Sequence, residues 1–160
     1  MVKITIIASG KCKESYYRQA VEEYAKRLRR YCQFQVVETP DLASPEGASD
    51  ADVLKVLKAE GEAILSRIPD GSYVIAMDVA GKQTSSEAFA WEIERLMSSG
   101  SSHIVFIIGG STGLSEEVLK KADRRISFGP VTMPHRLFRV VLTEQIYRAF
   151  RIIRNEPYHK

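Results

Sequence analysis

The segment Gly109-Gly-Ser-Thr-Gly113 is the first place in this 160-residue chain where residue types and spacing could serve chemistry. Glycines admit positive φ and let a ligand approach the main chain closely. A helix start just beyond, at Ser115, would add free N–H groups. The loop lacks the Lys-Ser/Thr ending of a phosphate-cradling NTPase loop and the G-x-G-x-x-G spacing of a dinucleotide fingerprint, and it follows the fourth predicted strand, not the first. A tight turn with no ligand is the alternative. No G-x-S-x-G elbow marks a nucleophile. His103, His135 and His159 lack the i, i+4 spacing of a zinc helix, and no metal is expected. His103 opens a predicted buried strand and reads as structural. His135 follows Pro134 at a predicted helix start, where it could cap, contact a ligand or bind phosphate. Asp78 ends the third predicted strand, where a carboxylate could hold a turn or touch a ligand. Cys12 and Cys32 have no redox or metal spacing and read as reduced thiols of a cytosolic protein.

These residues must be positioned by alternating strands and helices. Predicted strands are Ile4–Ala8, Phe34–Glu38, Tyr73–Met77, Ile104–Ile108 and Arg125–Phe128. The fourth is nearly all apolar, which suggests a central place covered on both faces. A helix over Ser15–Tyr31 puts Tyr17, Ala20, Val21, Tyr24 and Leu28 on one face. Ser49 to Asp52 resembles a capped start for a helix reaching about Arg67, and Thr84 to Glu87 a capping box for one reaching about Met97. Ser115 caps a short helix over Glu116–Ala122. The last helix runs from about His135 to Arg154, with Leu137, Val140, Val141, Ile146, Phe150 and Ile153 as its apolar positions, and Asn155–Lys160 forms a tail. Residues 40–48 read as a polar, flexible loop. Strands alternating with helices predict a single α/β domain over residues 1–160, a mostly parallel sheet flanked by helices. Ligands bind beyond the C-terminal ends of such strands. That rule selects three loops: Asp78–Gln83, Gly109–Leu114 and Gly129–Pro134.

Composition excludes several classes. Hydrophobic residues make up 44% and charged residues 27%, which argues against disorder and fibrous repeats. No apolar run approaches a membrane span, and the N-terminus does not read as a signal peptide. The formal net charge of +3 hides an asymmetry, −3 over the first 120 residues against +6 over the last 40. Arg136, Arg139, Arg148, Arg151, Arg154 and Lys160 dominate the basic quarter. A clustered basic face suits a phosphate-rich partner, with a merely solvated helix face as the alternative.

From Phe128 to the C-terminus the residues carry a resemblance. Thr132-Met-Pro-His135, Arg139-Val-Val-Leu-Thr-Glu-Gln-Ile-Tyr-Arg-Ala-Phe150 and Pro157-Tyr-His-Lys160 resemble the bacterial ribosomal RNA large subunit methyltransferase H family. Ile108–Leu114 and the opening Lys3-Ile-Thr-Ile-Ile are similar to it too, so the likeness spans the chain. It implies the SPOUT class, with a C-terminal trefoil knot, an exception to the rule that chains do not thread. It implies a homodimer with the active site near its interface. It also implies methyl transfer from S-adenosyl-L-methionine to N3 of a pseudouridine in large-subunit rRNA, in the cytoplasm, on the assembled ribosome at the subunit interface. Donor-binding positions carry over to Met77, Gly109 and Phe128-Gly129-Pro130-Val131-Thr132-Met133. Met77 stands where relatives often have Leu, and Gly129-Pro130 replaces a more usual polar pair.

Four residues would lie near the acceptor: His135, Arg139, Tyr158 and His159. Arg139 could stabilise a developing imide anion, either histidine could accept the proton, and Tyr158 could stack on the nucleoside. Arg148, Arg151 and Arg154, at i, i+3 and i+6, could share a face toward rRNA phosphates. A non-catalytic RNA-binding assembly protein would use the same basic helix without needing a donor pocket, and a small nucleotide hydrolase is suggested only by the glycine loop.

Overall fold

A computed structural model describes residues 1–43 and 46–160. Of the loop expected over residues 40–48, positions 44 and 45 lie outside the described residues. The strands are β1 (Lys3–Ser9), β2 (Gln33–Thr39), β3 (Tyr73–Gln83), β4 (His103–Ile108) and β5 (Arg124–Ser127). The helices are α1 (Ser15–Leu28), α2 (Asp50–Leu65), α3 (Ser86–Ser98), α4 (Glu116–Lys121) and α5 (His135–Ile153). All strand pairs are parallel, in the order β2-β1-β4-β3-β5. The apolar β4 is therefore central, as its composition predicts, and its core residues point alternately into two clusters. Phe106 and Ile108 join the larger one, with Phe89, Ile93, Leu142, Ile146 and Phe150 from α3 and α5. Val105 and Ile107 join the smaller one, with Ile64 of α2 and Val118 of α4. Helices thus cover both faces, the arrangement parallel sheets require.

Local chemistry explains the boundaries. Ser49 caps α2, accepting from Asp52 N–H and donating to the Asp52 carboxylate. Ser115 caps α4 by accepting from Val118 N–H. At α3 the cap is Ser85, bonded to Ala88 N–H, and not Thr84. Thr84 is still tied to the sheet, its N–H donating to Ser127 O at 3.2 Å. The segment Asp78–Gln83, expected as a loop, belongs to β3. Both Met77 and Lys82 lie opposite Ile126, so residues 78–81 form a bulge between two stretches of ladder. Gly81 makes this possible: a Cβ there would sit 2.8 Å from the Arg125 carbonyl carbon. On α5 the buried face is Arg139, Leu142, Thr143, Ile146, Tyr147, Ala149 and Phe150. Of the apolar positions of this helix, Leu137, Val140 and Val141 are only half-buried and belong to neither cluster.

Candidate active site

Three chain segments meet beyond the C-terminal ends of β3, β4 and β5 and enclose a cleft of about 590 Å³. They are the bulge after Met77, the glycine loop, and residues 126–135 leading into α5. Met77, Ile108, Leu114 and Phe138 give the cleft apolar walls, and Gly109, Gly110, Gly113 and Gly129 line it with main chain. Gly109 has no room for a side chain, since a Cβ would lie 2.5 Å from Gly113 O. The loop closes on itself, Gly113 N–H donating to Gly110 O at 3.0 Å. Asp78 is the sole carboxylate among the lining residues, and it also accepts from Ala80 N–H at 3.1 Å. Of the eight donor-binding positions inferred from sequence, Met77, Gly109, Phe128, Gly129, Val131, Thr132 and Met133 line this cleft. Pro130 lies in the same loop, is exposed, and is not among the lining residues.

His135 stands at the cleft as the first residue of α5. It forms no capping bond. Its Nε2 is enclosed and has no hydrogen-bond partner among the described residues. Burial, reinforced by the Arg136 and Arg139 cations, lowers its pKa below the usual imidazole range. The ring is therefore neutral at pH 7, with a lone pair able to take a proton.

Arg139 is elsewhere. Its side chain is buried, with Nη1 2.5 Å from Glu38 Oε2, and Nη2 donating to the carbonyls of Ser9 and Gly10. It ties α5 to the ends of β1 and β2. Glu38 would be pushed up by burial, but Cys12 N–H and Arg139 outweigh that and hold it below the usual carboxylate range. The guanidinium is committed to this structural role and does not line the cleft.

Tyr158 and His159 form a second cluster on the far part of α5. The tail folds back, anchored by Glu156, whose carboxylate accepts from Arg151 at 2.6 Å and from the Tyr31 hydroxyl at 2.8 Å. The Tyr158 ring packs edge-on against Tyr147, lies under the Arg148 guanidinium and donates its hydroxyl to Glu144 at 3.2 Å. Burial and the Glu144 charge push the phenol up to about 12, so it remains a hydrogen-bond donor. His159 Nδ1 accepts from Arg148 at 3.2 Å and Nε2 donates to Glu87 at 2.6 Å, so both ring nitrogens are occupied. Glu144 lies about 14 Å and Arg148 about 20 Å along α5 from His135. One chain therefore holds two clusters, one at each part of this helix. Arg148 and Arg151 also carry carboxylate partners, Glu144 and Glu156, whereas Arg154 is exposed.

Sequence reading missed Glu60, Glu87 and Glu144. Glu60 is 5% exposed. One carboxylate oxygen accepts from Leu42 N–H at 3.2 Å, and the other lies 3.1 Å from where a Gly110 Cβ would be. Glu144 and Glu87 lie within helices as ordinary polar positions, and only the returning tail gives them a purpose. His103 is structural as expected, its Nε2 2.8 Å from Thr5 Oγ1. Among the described residues no group of three potential ligands could hold a metal, and no helix is long and apolar enough to cross a membrane.

A parallel sheet whose strand-end loops enclose such a cleft is the architecture of a SPOUT methyltransferase, and residues 2–159 match the family model described as predicted SPOUT methyltransferase. Within that class, the chain belongs to the ribosomal RNA large subunit methyltransferase H family. It is 52% identical over 159 residues to the member from Clostridium perfringens and 55% identical to that from Limosilactobacillus reuteri, covering 99% of this chain and 100% of each relative. It is therefore an rRNA methyltransferase of that type. Among solved structures, a probable methylase family protein from Haemophilus influenzae aligns over 99% of this chain and 70% of its own, with TM-score 0.54 and 14% identity. A putative methylase family protein from Neisseria gonorrhoeae aligns over 91% and 82%, with TM-score 0.53 and 13% identity. These two likenesses concern the fold.

Proposed function

We propose that the protein transfers a methyl group from S-adenosyl-L-methionine to N3 of a pseudouridine in large-subunit rRNA. In this reading it acts as a cytoplasmic homodimer on the assembled ribosome, at the subunit interface, with the family's trefoil knot around the cleft. The observation that carries it is the cleft itself, where seven of the eight inferred donor positions meet an unpartnered imidazole. The residues suit the donor. Apolar walls fit the adenine, main-chain groups of the three loops can hydrogen-bond its edge, and Asp78 offers a charge opposite to a sulfonium. The bound donor supplies an already activated methyl.

The chain has to place the acceptor and remove the N3 proton. His135 is the base in this reading, because its Nε2 is free while both nitrogens of His159 are engaged. Tyr158, His159 and Arg148 then hold the nucleoside. They stand far along α5 from His135 of the same chain, so a complete site draws the tail cluster from a second protomer. Half-buried Leu137, Val140 and Val141, with Val131 at 78% exposure, supply an apolar surface for that association.

The test is transfer of labelled methyl to ribosomes lacking the modification, followed by mapping of the labelled nucleotide. Label on N3 of one large-subunit pseudouridine is expected. Label on another base would overturn the acceptor assignment. A protein that binds no donor would return the reading to a non-catalytic RNA-binding protein.

A further inference from the structure

Trp91 is the chain's single tryptophan, and it is 61% exposed. Helix α3 does not need it for packing, because Phe89, Ala90, Ile93 and Leu96 form the buried face. The indole lies in a shallow groove along α3 and the outer β3–β5 ladder, lined also by Lys82, Gln83, Arg95 and Arg124. This groove shares no lining residue with the cleft. Its two acids are already used: Glu92 accepts from Arg124 at 2.9 Å, and Asp123 accepts from Val74 N–H at 2.8 Å. Lys82 and Arg95 are exposed and have no carboxylate partner among the described residues. Nor does any described cation lie over the indole, although six arginine–tyrosine pairs of that kind occur elsewhere.

A free aromatic face beside two free cations is the chemistry that holds an unstacked base and its flanking phosphates. A purely apolar protein partner would leave both cations without a counter-charge. We propose that this groove binds a single-stranded nucleotide of the RNA substrate, with the base on Trp91 and phosphates at Lys82 and Arg95. The proposal rests on the rRNA reading and adds to it a contact separate from the reacting base.

Because no other tryptophan is present, indole emission reports this groove directly. Titration with a short single-stranded oligouridylate at low salt is expected to quench the emission saturably and reversibly with added salt. Lys82→Ala with Arg95→Ala should weaken that binding about tenfold and flatten its salt dependence. On unmodified ribosomes, Trp91→Ala should raise KM about tenfold, with donor affinity and melting temperature unchanged and partial rescue by Trp91→Phe. Absent quenching with an unchanged KM overturns the proposal. A Trp91→Ala chain whose defect is a weakened dimer would also overturn it, making the groove a protein contact. If the wild-type protein transfers no methyl yet its indole is quenched, the enzymatic reading fails and the groove stands.

Discussion

His135 and His159 differ in what surrounds their nitrogens, and the roles proposed for them rest on that difference. His135→Gln removes the one unpartnered imidazole of the cleft. Single-turnover methyl transfer should fall about 100-fold or more, while donor affinity measured by calorimetry stays near wild type. A histidine with a depressed folded pKa contributes stability that is complete above its unfolded pKa of about 6.5. That contribution is lost as pH falls through 6.5 toward the folded value. The acid limb of the rate profile should accordingly lie below pH 6.5 in the wild type. Glu60 has the opposite sign. Burial raises its pKa, with Asp41 adding to the effect against Leu42 N–H. The folded state favours the protonated acid, so stability falls as pH rises from the unfolded carboxylate range through the folded value. Glu60→Gln keeps an acceptor for Leu42 and removes the charge, and should raise the melting temperature at pH 8 relative to wild type. A lower melting temperature at pH 8 would show that the contacts of the Glu60 carboxylate outweigh the cost of burying its charge. Neither the burial of Glu60 nor that of Arg139, which sequence reading placed near the acceptor, was legible in sequence. A charged residue is assigned to the surface by default, and only the three-dimensional partners, Leu42 N–H for one and Glu38 for the other, reveal the exception.

At the scale of elements, the glycine loop is where sequence and structure agree best. Gly109 follows an apolar strand and Ser115 announces a helix, so both ends of the loop carry local signals that need no tertiary information. Gly109→Ala should test the turn. The added methyl meets Gly113 backbone, not a movable side chain, so the loop must open. Donor binding should weaken at least tenfold, with hydrogen exchange accelerated at residues 109–114, while the sheet stays protected. Unchanged donor affinity would show that this loop does not contact the donor. The β3 bulge was not legible in the same way. Gly81 carries the composition of a turn, and its actual use, letting β5 pass within contact of the main chain, depends on a strand more than 40 positions later. Helix α5 needed the fold for a related reason. Val140 and Val141 are apolar in sequence, and only the structure shows that Arg139 and Thr143 take buried places beside them, bonded to main-chain carbonyls.

In the whole molecule, His135 opens the 19-residue helix α5, and the tail that carries Tyr158 and His159 packs against its later turns; in the proposed mechanism these are the base and the nucleoside clamp. Sequence could bring His135, Tyr158 and His159 together only through resemblance, because no periodicity encodes which chain completes which site. Two protomers resolve the separation if the tail of each serves the cleft of the other. Mixed dimers then give a sharp expectation. A chain carrying His135→Gln has a sound tail, and a chain carrying Tyr158→Ala has a sound cleft. Each homodimer lacks one component at both sites. A heterodimer assembles one site from the intact cleft and the intact tail, and one site from two defective parts. Random pairing makes half of all dimers mixed, so co-refolding the two inactive variants should restore about a quarter of wild-type activity. If each site were built within one chain, mixing would restore nothing, since neither chain holds both parts. Tethered heterodimers, with one copy of each variant in a single polypeptide, should reach about half of wild-type activity, and a third copy free in solution should not raise it.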